Sequence, residues 1–225
     1  MKKLTAISAL LVSLVFSACN ADAAKTAKAT EPTTEEQKTA YSLGLLLSQS
    51  LKTFDLTPEE LSLVQKGITD GLGKDKPTVN AEEYIPKIQA LQLARVNAAA
   101  TAYLDKAAKE TGATKTASGI IIKHTVVGTG AQPAATDQVK VHYEGRLTDG
   151  KVFDSSIARG EPATFPLDRV IACWTEGVQT MKVGGKAQLT CPSDLAYGPN
   201  GSPPTIPPHA TLVFDVELLD IVKPQ

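Results

Sequence analysis

Five of the ten residues from Pro199 to Pro208 are proline, which excludes a helix or a central strand over that span. The chain then alternates at once. Leu212, Phe214, Val216 and Leu218 fall on one face, and Thr211, Asp215 and Glu217 on the other, the period of a half-buried strand. A stiff loop feeding a strand that turns an aromatic ring inward is suited to hold an apolar cavity open. The stretch Tyr197–Leu218 is therefore expected to form one side of the functional site. A cavity of that kind works through shape and dryness rather than through a nucleophile.

Upstream of this stretch the chain keeps a strand period from Gly119 onward. Ile120, Ile121 and Ile122 begin a β-branched run that ends at Gly128. Val139-Lys140-Val141-His142-Tyr143-Glu144 alternates, with Val139, Val141 and Tyr143 facing inward and His142 facing solvent. Thr148-Asp149-Gly150-Lys151 reads as a hairpin turn. Val152-Phe153-Asp154-Ser155-Ser156 then starts a strand and leaves it at a polar turn. Val170, Ile171, Trp174, Val178 and Met181 share one face of a short helix, the only helix expected here. Lys186–Cys191 alternates again. The fold class predicted is α+β, with an antiparallel sheet wrapped around one short helix.

Six of the chain's eleven aromatics (Tyr143, Phe153, Phe165, Trp174, Tyr197 and Phe214) lie in this region. For any one of them ordinary core is the simpler role. Trp174 and Tyr197 each carry a polar group that needs a partner, and Tyr197 sits at the mouth of the proline-rich loop. Together they predict an apolar pocket between sheet, helix and loop. Asp154 is the one acid set among these residues; the usual task of such an Asp is to bond backbone where a strand turns.

The N-terminal third reads as helical. Thr33-Thr34-Glu35-Glu36 is a capping box opening a helix with Tyr41, Leu45, Leu47, Ser48 and Leu51. Thr57, Pro58 and Glu60 open a second, stopped at Gly71 and Gly73. Asn80, with Glu83, opens a third that runs to about Thr111 before Gly112, with a bend or a late start at Pro86. Its thin apolar stripe suits a helix that bridges domains. The expected division is 33–79 as a helical dimerisation segment, 80–113 as a long connecting helix and 114–225 as the sheet domain. Leu45, Leu46, Leu47 and Leu51 are expected to bury against a second copy of the chain, with packing onto the C-terminal domain as the alternative, since two short helices seldom fold alone.

Residues 1–23 have the form of an export signal. Lys2 and Lys3 precede an apolar stretch, Leu4–Ala18, too short to span a bilayer. Ala21-Asp22-Ala23 fits ordinary cleavage, and Phe16-Ser17-Ala18-Cys19 resembles a lipobox in which Cys19 is lipidated. Both routes lead out of the cytosol, to a bacterial periplasm or to the outer membrane through a lipid on Cys19. Residues 24–32 form a tether. In an oxidising compartment Cys173 and Cys191 either form a disulfide or stay as two buried thiols.

A net charge of -1 argues against nucleic acid as a partner. No nucleophile elbow, H-E-x-x-H, Walker loop or CxxC is present.

VHYEG, DGKVFDSS, VIACWTEGV, LAYG and IPPHATLVFDVELL occur in this order across residues 120–222. Together they resemble FKBP-type peptidyl-prolyl cis-trans isomerases, and the whole layout resembles the macrophage infectivity potentiator and FkpA type of bacterial isomerase. The resemblance implies a homodimer joined through its N-terminal helices. It also implies isomerisation of X–Pro bonds in unfolded or proline-containing polypeptides, with no metal or cofactor, and inhibition by the macrolides that bind the family. Carried over residue by residue, Trp174 is the pocket floor and Tyr143, Phe153 and Phe214 its walls, with Asp154, Val170 and Ile171 beside them. The Tyr197 hydroxyl and the backbone N–H of Ile206 are the implied donors to substrate carbonyls. Departures from the family pattern are Ala163 in place of an extra aromatic, Cys173 where Gly is frequent, and Ser202 and Thr205 at the loop tip.

Overall fold

The computed structural model describes residues 31–74 and 76–222. The expected export signal, Cys19 and all but the last two residues of the expected tether (Glu31 and Pro32) lie outside that range. The chain divides into two compact units, Met1–Gln49 and Ser50–Gln225.

Helix α1 spans Glu35–Leu51 and buries none of its side chains. Its capping box falls one residue later than expected. Thr34 Oγ1 accepts from the Gln37 N–H at 3.2 Å, and Gln37 Oε1 accepts from the N–H groups of Thr33 and Thr34. The reciprocal partner of a cap stands three residues after it, which for Thr34 is Gln37.

In the second unit α2 spans Pro58–Leu72, with the expected reciprocal Thr57–Glu60 box and a stop at Gly73. Helix α3 spans Ala81–Ala108. Asn80 caps it by accepting from the Glu82 N–H at 3.2 Å, and its amide donates to Glu83 at 3.1 Å. Pro86 does not delay the start. It lies in the second turn, where its missing N–H forfeits the single bond to the carbonyl of Glu82. The helix ends three residues short of Thr111, and Gly112, at φ +80°, turns the chain into the sheet. Arg95 of α3 pairs with Glu60 of α2 at 2.7 Å.

Seven strands follow: β1 (Ala113–Lys115), β2 (Ile121–Val126), β3 (Gln138–Leu147), β4 (Val152–Ser155), β5 (Ala163–Pro166), β6 (Lys186–Cys191) and β7 (Leu212–Val222). All named pairings are antiparallel, in the order β1-β2-β6-β7-β3-β4, with β5 also on β3. Val139, Val141 and Tyr143 on β3 and Leu212, Phe214, Val216 and Leu218 on β7 are buried as read. Thr211, expected on the outward face, is buried too, as is Val213, so the start of β7 is covered on both faces.

The helical content of this domain departs from expectation in two ways. A four-residue helix, α4 (Ser156–Arg159), follows β4. Ser155 Oγ caps it by accepting from the Ala158 N–H at 3.1 Å, and Gly160 at φ +78° ends it. The helix α5 covers only Ala172–Val178. Val170 and Ile171 precede it in extended backbone, and Met181 follows it, so the five-residue apolar stripe belongs to a helix plus its two flanks. The Ile171 carbonyl, accepting from the N–H groups of Trp174 and Thr175, starts the helix. Gly177 lets α5 lie close on β6: a Cβ there would stand 2.8 Å from the Leu189 side chain. Cys173 of α5 and Cys191 of β6 are joined in a disulfide with Cα atoms 5.7 Å apart, both fully buried. Among the described residues no helix is long and apolar enough to cross a membrane.

Candidate active site

A cavity of about 450 Å³ opens between β3, β4, β7, α5 and the loop after β6. Tyr143, Phe153, Asp154, Val170, Ile171, Trp174, Tyr197 and Phe214 all line it, as do Phe165 and Arg169. Its base is Trp174. Three rings meet that indole edge-on: Tyr143 with centroids 5.2 Å apart, Phe214 at 5.4 Å and Phe165 at 5.6 Å, at interplanar angles of 83–88°. Phe153 in turn stands edge-on to Phe214 at 5.6 Å. These edge-to-face contacts complement the ring quadrupoles, add to area burial and lock the walls to the floor. The indole Nε1 is buried without a hydrogen-bond partner.

Asp154 stands at one edge. Its carboxylate accepts from the Tyr143 hydroxyl and from Arg159 Nη1, while Arg159 Nη2 donates to the Tyr143 oxygen at 3.0 Å. The arginine also lies over the Tyr143 ring, 5.6 Å from its centroid. Burial alone would raise the Asp154 carboxyl, but the bonds from Tyr143 and Arg159 outweigh it and hold the group below the ordinary aspartate value. Burial, helped by the bond to Asp154, pushes the Tyr143 phenol up. The cluster therefore keeps a neutral phenol and a paired carboxylate beside the aromatic walls. Asp154 thus bonds the side chains of Tyr143 and Arg159, and the Ser155 backbone N–H beside it at the strand exit helps lower its carboxyl as well.

β3 is held at this point by a buried serine. Ser156 Oγ accepts from the Tyr143 N–H at 2.8 Å and donates to the Tyr143 carbonyl at 3.2 Å. The same oxygen lies 3.1 Å from His142 Nδ1, so His142 is half-buried and partnered rather than a solvated side chain. Tyr197 is exposed at the rim, and its hydroxyl makes no hydrogen bond among the described residues.

Ile206 departs from its implied role. Its side chain is buried in the core, it does not line the cavity, and its N–H donates to the Ser202 carbonyl at 2.9 Å. The Ser202–Ile206 bridge closes the loop tip on itself and occupies the donor. Two contributors were absent from the sequence reading of the site, Arg159 and Arg169, and Phe165 was counted there only as an aromatic. Alternation within Ala163–Pro166 would have turned Phe165 inward. The signal for Arg159 was a Ser cap followed by one helical turn, which returns residue 159 to residue 154. Among the described residues no cluster of His, Cys, Asp or Glu is arranged to hold a metal ion.

Residues 130–219 match the family described as FKBP-type peptidyl-prolyl cis-trans isomerase, and residues 36–123 match the domain amino-terminal to it. The FkpA isomerase of Aeromonas hydrophila is 44% identical over 225 residues, covering 91% of this chain and 84% of that protein. The 22 kDa FKBP-type isomerase of Escherichia coli K12 is 42% identical over 205 residues, covering 86% and 100%. Among solved structures, FkpA from Escherichia coli aligns over 85% of this chain and 98% of its own, with a TM-score of 0.54 at 35% identity. A Pseudomonas syringae isomerase covers 67% and 100%, with a TM-score of 0.55 at 36% identity. An aromatic cavity on this sheet, with sequence matches over both halves of the chain, has one reading: the chain belongs to the FKBP-type peptidyl-prolyl cis-trans isomerases.

Proposed function

We propose that the aromatic cavity is where this isomerase turns X–Pro bonds, in polypeptides exported to the bacterial periplasm. The observation that carries the reading is the convergence of Tyr143, Phe165 and Phe214 edge-on to Trp174 beneath an open cavity. A planar amide crosses a barrier of about 18–20 kcal/mol to isomerise. Twisting it removes resonance, so the transition state is less polar than the ground state. A dry aromatic surface favours the twisted form over the planar one, which is differential binding. The proline ring rests on Trp174 between Phe153, Phe214 and Tyr143, Val170 and Ile171 meet the flanking chain, and the free Tyr197 hydroxyl donates to a substrate carbonyl. The Ile206 N–H reaches substrate only if its bond to Ser202 opens. Asp154, held by Arg159, fixes the Tyr143 ring.

The test is a protease-free isomerisation assay on an X–Pro peptide. Phe153→Ala is expected to lower kcat/KM at least tenfold, Tyr197→Phe to lower it less, and a macrolide of the class that binds this family to compete. Full activity in both variants refutes the pocket assignment.

A second activity, holding unfolded chains as a homodimer, is favoured by the exposed Leu43, Leu45, Leu46 and Leu47 of α1 and Leu61, Leu63 and Ile68 of α2. Large apolar side chains left exposed on each of these helices mark interaction faces. The Leu46→Asp/Leu47→Asp double variant should sediment as a monomer and lose suppression of client aggregation while still turning over a tetrapeptide. A monomeric wild type refutes the dimer. Residues 1–23, with the form of an export signal, support export, and intact mass of the mature chain distinguishes cleavage after Ala23 from lipidation of Cys19.

A further inference from the structure

We infer that Arg169 makes this isomerase prefer X–Pro bonds that carry an acidic side chain, Asp or Glu, directly before or after the proline. The inference rests on the cavity being the prolyl site. Only two of its lining side chains are charged, Asp154 and Arg169, and they differ in one respect. Asp154 is neutralised by Arg159 and bonded by Tyr143. Arg169 is exposed, and among the described residues it has neither an ion pair nor a side-chain hydrogen bond.

The backbone that carries Arg169 is held. Leu167, two residues earlier, is fully buried; its N–H donates to the Asp137 carbonyl at 3.0 Å, and its carbonyl accepts from Thr175 Oγ1 at 2.6 Å. Val170 and Ile171, directly after it, are cavity wall. The guanidinium is thus a positive charge tethered within one residue of the apolar surface, while the other charge at the mouth is already compensated. A substrate carboxylate next to the proline meets attraction there, and a lysine meets repulsion. The flanking charge does not change as the bond twists, so it acts alike on ground and transition states. The preference is accordingly expected in KM, with kcat little affected.

The experiment uses the full-length protein and tetrapeptides with Glu, Gln, Lys or Leu before the proline, and a second set with the same residues after it. The wild type should show a Glu-to-Gln ratio of kcat/KM of about two to five in at least one set, the range an exposed ion pair supplies, and a Lys-to-Gln ratio below one. Arg169→Ala should bring both ratios to one, Arg169→Glu should invert them and Arg169→Lys should keep them. At 1 M salt, where screening acts over about 3 Å, the ratios should collapse. Because each ratio is internal to one variant, a general loss of activity does not disturb it. A wild-type ratio of one in both sets, or a ratio that survives in Arg169→Ala, overturns the inference. If instead Phe153→Ala leaves turnover of the Leu peptides untouched, the cavity assignment itself has failed.

Discussion

Gly145 is where stability and activity should part most clearly. It sits on β3 opposite Phe214 of β7 and Asp154 of β4. A Cβ built there stands 2.6 Å from Phe153 Cζ, 2.7 Å from Phe153 Cε2 and 2.9 Å from Phe214 Cε1. Carbon atoms settle at about 3.5–4.0 Å, so Gly145→Ala forces the Phe153 ring back by about 1 Å and the buried Phe214 ring by about half as much. Phe153 is half-buried and has the cavity beside it, so the ring has somewhere to go. The stability cost should therefore stay near the low end of overpacking, about 1 kcal/mol. Activity has no such escape. The wall moves into the space the proline ring needs, and a displacement of about 1 Å at a positioning surface costs on the order of 10–100-fold in kcat/KM. Urea unfolding followed by the fluorescence of the single tryptophan, beside peptide isomerisation by the same preparation, measures both. Wild-type kcat/KM refutes the reasoning. So does a loss of more than about 3 kcal/mol, which would mean that the core yielded rather than the wall.

Two further outcomes follow from the disulfide and from Asp154. The disulfide closes a sequence separation of 18 residues, which on the chain-entropy account contributes about 3 kcal/mol; oxidised and dithiothreitol-reduced protein should differ by that much in urea, and equal midpoints would contradict it. The Asp154 carboxyl lies below its ordinary value in the fold, so its contribution is fully present above the unfolded value of about 4 and is lost as pH falls through the lower folded one. Asp154→Asn should thus be less stable than wild type at pH 6, by a gap that narrows as pH falls below about 4; a gap that stays constant with pH would rule out the carboxylate as its source.

Strand periodicity made β3 and most of β7 legible because over residues 139–143 and 214–218 one face is buried more deeply than the other, whereas Val213 is buried on the opposite face and carries no such signal. The inward turn of Tyr143 and Phe214 followed from that directly, and their place as pocket walls from the family resemblance. The helix around Trp174 was legible as an apolar cluster but not in its bounds, because Val170, Ile171 and Met181 point inward from extended and turn backbone that mimics a helical stripe. Arg159 was hidden for a related reason. Its value lies in a tertiary bond to Tyr143, sixteen residues earlier, and a lone exposed arginine has no period to read. The fate of the Ile206 N–H depended on the loop tip folding back to Ser202, a local bridge that five prolines in ten residues do not specify.

The position of β7 has a consequence for how the domain comes into being. It follows every other strand of the sheet in sequence, yet it lies between β6 and β3 and pairs with both. Until residues 212–222 have been synthesised, β1, β2 and β6 have no partner through which to join β3, β4 and β5, and the two half-sheets expose the faces they later share. Closing the sheet therefore waits for residues 212–222 and proceeds through contacts distant in sequence, the slow kind. Losing the final strand would divide the sheet at its centre rather than shorten it at an edge.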